Sequence, residues 1–244
     1  MRRLLLLLSI AAPMHADTLA DVKAALARLN ARAPIRATWS HESSDSTSGK
    51  YANAKSSGHV AVEAVQDAGT FHVDIPRALL DKAADEARTN SGSWSSDTRN
   101  SLSSVSPLGI SEDLDFADPF TGLLDTGTLR EEKRLLWNGV PARLLVLDLK
   151  EPKHDHEISI GKVSYPENRL NVWVGADNIP LAAEHVRKTT AGFLMFHGDS
   201  TTKRSWQFTR KDDHFVVARY EDWTSFSGLG QQGQGHTIVT VSIH

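Results

Sequence analysis

"LREEKRLLWNGVPARLLVLDL", Leu129 to Leu149, decides how this chain folds. Asn138-Gly139 stands between two extended runs, and Asn-Gly is the residue pair that tolerates positive φ at both centres of a two-residue hairpin turn. The two runs are therefore expected to be neighbouring antiparallel strands. In the second run Leu144, Val146 and Asp148 point one way, and Leu145, Leu147 and Leu149 the other. Both faces are apolar over most of its length, unlike a strand with one face in water. Each face needs a cover, either packed helices or a bound apolar molecule.

Moving outward, the same short-strand grammar continues to the C-terminus. "NRLNVWVGADNIPLAAEHVRK" (168–188) alternates at Leu170, Val172 and Val174, turns at Gly175 to Asn178 and restarts after Pro180. "SWQFTR" (205–210), "HFVVARYEDW" (214–223) and "HTIVTVSI" (236–243) follow with turn residues between them. No strand-helix-strand rhythm interrupts them, so the sheet is expected to be antiparallel. One motif argues otherwise: Gly228, Gly230 and Gly233 spell G-x-G-x-x-G. A dinucleotide site needs a helix after those glycines and an acidic residue about 20 positions on. "HTIVTVSIH" instead alternates as a strand, so the glycines are read as a loose hairpin loop.

Toward the N-terminus, residues 1–16 read as an export signal, with Arg2 and Arg3, an apolar run from Leu4 to Ala12 and the small Ala16 at the cut. The run is too short to span a bilayer, which takes about 20 residues. Residues 17–244 read as one domain. It opens on an amphipathic helix with Leu19, Val22, Leu26 and Leu29 on one stripe, ended by Asn30 and Pro34. Strands are expected in "IRATWSHES" (35–43), "GHVAVEAVQ" (58–66) and "TFHVDI" (70–75). A helical and Ser-rich insertion then occupies about 76–127. "PRALLDKAADEAR" (76–88) is expected to be a helix with Leu79, Leu80 and Ala83 on one side. Thr89 to Pro107 is expected to be a solvated loop, and "ISEDLDFADPFTGLLDTG" (110–127) a helix split at Pro119.

Composition narrows the function. The chain of 244 residues has no cysteine, which excludes disulfides, a thiolate nucleophile and a lipid-modified thiol. Removing Arg2 and Arg3 leaves 25 Lys+Arg against 30 Asp+Glu, so net charge moves from −3 to −5. An acidic chain without basic clusters does not suit nucleic acid. The expected location is the periplasm or the exterior of a bacterium. No G-x-S-x-G or H-E-x-x-H motif occurs, and the serine-lysine pairs at Ser159 and Ser200 lack their partner motifs. Adjacent acids such as Glu221-Asp222 face opposite sides of a strand and cannot share a substrate. His154 and His156 in "KHDHE" point the same way in an extended chain, which makes them weak metal candidates; a solvated loop is the plainer reading. No cofactor and no catalytic residue is expected.

Five tryptophans, at 39, 137, 173, 206 and 223, fall on expected strands and supply large amphipathic surface. Such stripes form a core by default, and the alternative is that they line a cavity. If the sheet holds an apolar ligand, Leu26, Trp137, Leu145, Leu147, Trp173 and Trp206 are the side chains expected to line it.

Three stretches, "DVKAALARLN" (21–30), "WNGVPARLLVLDL" (137–149) and "LNVWVGADNIPLAA" (170–183), resemble the bacterial lipoprotein-carrier (LolA/LolB-like) superfamily. The resemblance implies an α+β, mainly β fold: a strongly curved antiparallel sheet, or unclosed β-barrel, with helices on its concave side. It also implies an exported carrier that holds a lipid, an acyl chain or an apolar partner segment, with lipid or lipoprotein as partner. The readings left open beside it are an exported protein-protein interaction module without a cavity, and a metal-dependent enzyme.

Overall fold

The computed structural model describes residues 18–29, 31–50, 53–67, 69–89, 97–151, 162–193 and 196–244. Residues 1–16, expected to be an export signal, and the His154/His156 pair lie outside the described residues. Ten strands form one antiparallel sheet: β1 (Ile35–Gly49), β2 (Ala54–Asp67), β3 (Thr70–Asp74), β4 (Gly127–Trp137), β5 (Val140–Leu149), β6 (Lys162–Val174), β7 (Pro180–Phe193), β8 (Phe196–Lys211), β9 (His214–Gly228) and β10 (Gln231–Ile243). Their order is β3-β2-β1-β10-β9-β8-β7-β6-β5-β4, a single run with two ends that does not close into a barrel. Both ends are guarded against adding a foreign strand. β3 has five residues, and β4 carries Arg130, Glu131, Lys133 and Arg134 with a register shift between Leu129 and Glu131.

The turns follow the expected chemistry. Asn138 (φ 49°) and Gly139 (φ 82°) connect β4 to β5. The glycine-rich stretch is tighter than a loose loop. Leu229 (φ 53°) and Gly230 (φ 73°) make a two-residue turn, and Gln231 onward is already β10. Gly233 lies inside that strand because the Phe226 ring lies over it: a Cβ there would stand 2.5 Å from Phe226 Cε1.

Among the described residues there are also five helices: α1 (Thr18–Leu26), α2 (Arg77–Thr89), α3 (Asp97–Ser103), α4 (Pro107–Leu114) and α5 (Ala117–Asp125). α1, α3, α4 and α5 pack on one face of the sheet, called the inner face below. No helix among the described residues is long and apolar enough to cross a membrane. Three differences from the sequence reading have physical reasons. The break between α4 and α5 falls at Asp115–Phe116, not at Pro119, which sits in the first turn of α5 where a missing N–H is harmless. α2 has no buried residue, and Leu80 remains 43% exposed. The serine tract contains α3, whose Thr98 and Ser101 are buried although polar. Thr98 Oγ1 donates to Glu86 at 2.7 Å, and Ser101 Oγ donates to the Asp97 carbonyl at 2.7 Å. With their hydroxyls satisfied, both can be buried.

Candidate functional site

Strand alternation gives the inner face two halves. On β5 to β9, Leu145, Leu147, Leu170, Val172, Val174 and Ala183 form an apolar lattice with Trp206, Phe215 and Val217. α1 lays Val22 and Leu26 on it, and α5 lays Phe120 and Leu124; all four are fully buried. Phe116, Phe120, Phe208 and Phe215 interlock with centroids 4.6 to 6.1 Å apart. A second cluster joins β1, β2 and β10 to α4 through Trp39, Val60, Val62, Ile110, Leu114 and Val241. α1 is nine residues long, too short to be stable alone in water. Polar links hold the ends of this roof: Lys23 to Asp125 (2.5 Å) and Thr18 Oγ1 to Glu132 (2.9 Å). The Arg32 and Ala33 amides donate to the Asp213 carboxylate at 2.9 and 3.1 Å.

Beyond the helices the inner face turns polar. Asp222 on β9 accepts from Arg204 Nε at 3.0 Å, Tyr220 OH at 2.9 Å and Thr224 Oγ1 at 3.2 Å. Arg204 pairs across the strands with His185, which is 8% exposed and bonded through Nε2 to Asn168 Oδ1 at 2.8 Å. Burial, then the Arg204 and Arg187 charges, push His185 down to about 4, so it is neutral at ordinary pH. Burial and the Asp222 charge push the Tyr220 hydroxyl well above its ordinary range.

Where the halves meet, Trp39 Nε1 donates to Asp113 on α4 at 2.8 Å. Burial raises the Asp113 carboxyl from 3.8 to about 6, against the lowering effect of the indole bond. His41 stacks on Trp39 at 5.8 Å, and its Nδ1 has no hydrogen-bond partner among the described residues. Burial, then His59, lowers its pKa. This belt of Asp113, His41, Tyr220, Asp222, Arg204 and His185 places polar and titratable groups beside an apolar lattice. Asp222 is held by three donors, which suits a fixed rim rather than a moving proton. Among the described residues no group of three or more His, Asp or Glu could hold a metal ion.

The residues expected to line a ligand divide into two sets. Leu26, Leu145, Leu147 and Trp206 converge in the cluster beneath α1 and α5. Trp173 lies between the buried Val172 and Val174 and so points to the other, outer face beside Leu144. Trp137 ends β4 at the hairpin, half-buried; alternation from Glu132, which faces α1, puts it on the outer face too. The belt was missed in the sequence because its members are ordinary one by one. The available signal was the alternation Tyr220, Asp222, Thr224, which puts a phenol, a carboxylate and a hydroxyl on one face. Glu221 faces the opposite way and pairs with Arg219 and His236.

No protein-family model matches the sequence, and no curated protein matches it. A solved structure titled "The complex structure of Pseudomonas aeruginosa MucA/MucB" is similar at 11% identity over 93% of each chain, with a TM-score of 0.21. The fold described above rests on the strand order and packing alone.

Proposed function

We propose that the chain is an exported periplasmic binding or carrier protein of LolA/LolB-like build. Residues 17–244 form its single domain, and the inner face of its sheet receives a lipid, an acyl chain or an apolar segment of a lipoprotein partner. The observation that supports this reading is the roof. A wide apolar lattice is covered by two nine-residue helices, α1 and α5, tied down by a few polar links at their ends. An acyl chain entering beneath α1 lies between the lattice and Leu26, and the burial of its own methylenes offsets the contacts that Val22 and Leu26 give up. In this reading Leu26, Leu145, Leu147 and Trp206 touch the ligand, and Trp137 and Trp173 do not.

The test exploits the absence of cysteine. Lys23→Cys and Asp125→Cys are introduced together and joined by a short bis-maleimide, which fastens α1 to α5. The unlinked protein is expected to take up a fluorescent fatty acid, and the linked form to lose most of that uptake. Mass spectrometry of lipid extracted from protein purified from a bacterial periplasm is expected to find bound acyl species. If neither form binds and no lipid is extracted, the carrier reading fails. A second reading is then favoured by the filled interior, in which Val22, Leu26, Phe120 and Leu124 are fully buried. It is an exported interaction module that engages a partner by its outer face.

A further inference from the structure

The outer face of the sheet changes character along its length. Over β5 to β8 it is a mesh of ion pairs, including Lys203–Glu184 at 2.7 Å and Lys188–Glu167 at 2.9 Å. At the far ends of β1, β9 and β10 the charges thin out. Cross-strand register there aligns Trp223, His236 and Ser44 in one row, and Ser225, Gln234 and Ser46 in the next. Ser227, Gln232 and Ser48 continue the pattern. Trp223 is 39% exposed; His236 and Lys203, the latter paired with Glu184, stand directly across from it, and the next row brings serine hydroxyls and the Gln234 amide. A hollow of about 590 Å³ lies along these rows, and an adjoining one of about 580 Å³ shares Ser46, Lys55 and Gln234 with it and reaches Asp45 and, at the start of α3, Asp97.

The geometry points to a binding surface for an uncharged sugar strand. A pyranose presents a C–H face that stacks on an exposed indole and an equatorial ring of hydroxyls that both donate and accept. Serine hydroxyls and glutamine amides donate and accept as well, and the sheet repeats them at about 5 Å between strands and about 7 Å along each strand. A ligand that extends in one direction with a short repeat meets them in series. Charge excludes the competitors: a phosphorylated lipid headgroup or nucleic acid needs several cations, and these hollows hold Lys55 against Asp45, Asp97 and Asp199. The polymer that meets these terms in the periplasm is the glycan strand of the cell wall. The choice of that source rests on the export reading, whereas the sugar chemistry does not rest on the carrier reading and uses the opposite face of the sheet.

The test is co-sedimentation of the purified protein with insoluble, purified peptidoglycan, repeated with increasing sodium chloride. A tetramer of N-acetylglucosamine serves as soluble probe, read by tryptophan fluorescence and calorimetry. Binding that survives 0.5 M salt, with a tenfold or greater loss for Trp223→Ala and for Gln234→Glu, is the expected result. Both substitutions are on exposed positions, and circular dichroism checks that the sheet is intact. No co-sedimentation, binding removed by salt, or equal binding by the parent and both variants overturns the proposal. Binding of the tetramer without peptidoglycan overturns the assignment to the cell wall. Fatty-acid uptake by either variant equal to that of the parent separates this surface from the inner one.

Discussion

Asp113→Asn isolates the most consequential buried acid in the molecule. The Asp113 carboxyl sits at the junction of α4 and β1 and is raised from 3.8 to about 6, chiefly by burial. A folded-state pKa above the unfolded one means that the fold binds this proton more tightly than the unfolded chain. The contribution to stability is therefore complete below pH 3.8 and is lost as pH rises through about 6. The difference of roughly two pH units corresponds to about 3 kcal/mol by linkage. Asparagine keeps an oxygen for Trp39 Nε1, 2.8 Å away, and never ionises. Measured as the difference between variant and parent, stability is expected to swing by about 3 kcal/mol in favour of asparagine between pH 3 and pH 7. For a chain of this size that is roughly 6–12 °C in Tm. Urea unfolding at the two pH values, followed by tryptophan fluorescence, reads the swing. Parallel pH profiles for parent and variant would falsify the argument, because they leave the carboxyl no more protonated in the fold than outside it.

The opposite sign holds for His185, whose folded pKa is lowered to about 4. Its contribution is present above pH 6.5 and disappears as pH falls through 4, so His185→Gln is expected to flatten acid unfolding in that window, read by circular dichroism. His214 is fully buried, with Nε2 at 2.7 Å from the Ala33 carbonyl and Nδ1 at 3.3 Å from that of Leu114. His214→Phe removes the ring N–H that serves the nearer, Ala33 carbonyl and leaves that acceptor unpaired, which is expected to cost about 1–3 kcal/mol in urea unfolding; a loss below 1 kcal/mol contradicts the assignment. Gly58 lies against α3, where a Cβ would approach Ser101 Oγ to 2.2 Å. Gly58→Val is expected to push α3 off β2 and speed proteolysis between residues 89 and 107, whereas unchanged cleavage means the contact is dispensable.

The strands of the C-terminal half were legible because their side chains contrast. Leu170, Val172 and Val174 alternate with polar or outward residues, and Asn138-Gly139 names its own turn type. The long tails of β1 and β2 were not legible. Ser43 to Gly49 and Ala54 to Ser57 are polar on both faces, so no period survives, and only the ladders from β10 to β1 and from β1 to β2 reveal them as strand. α3 was hidden for a related reason. Its buried residues are Thr98 and Ser101, and burial by hydrogen bonding to Glu86 leaves no apolar stripe to read. The apolar half of the candidate site was visible in the strand Leu144 to Leu149. The polar belt was not, since Arg204, His185 and Asp222 meet only through cross-strand register.

Those serine-lined tails also divide the molecule mechanically. Where α1, α4 and α5 press on the sheet, opening one backbone bond means parting packed rings. Past those three helices, Ser43–Gly49 and Gln231–Thr237 are joined chiefly by their amide ladders, with the Phe226 ring packed over Gly233. Amide protons there exchange through small local separations, while those beside Phe120 and Phe215 wait for the whole chain to unfold. One end of the sheet is thus compliant and the other stiff, and the compliant end is the one that carries the surface proposed above for a sugar strand.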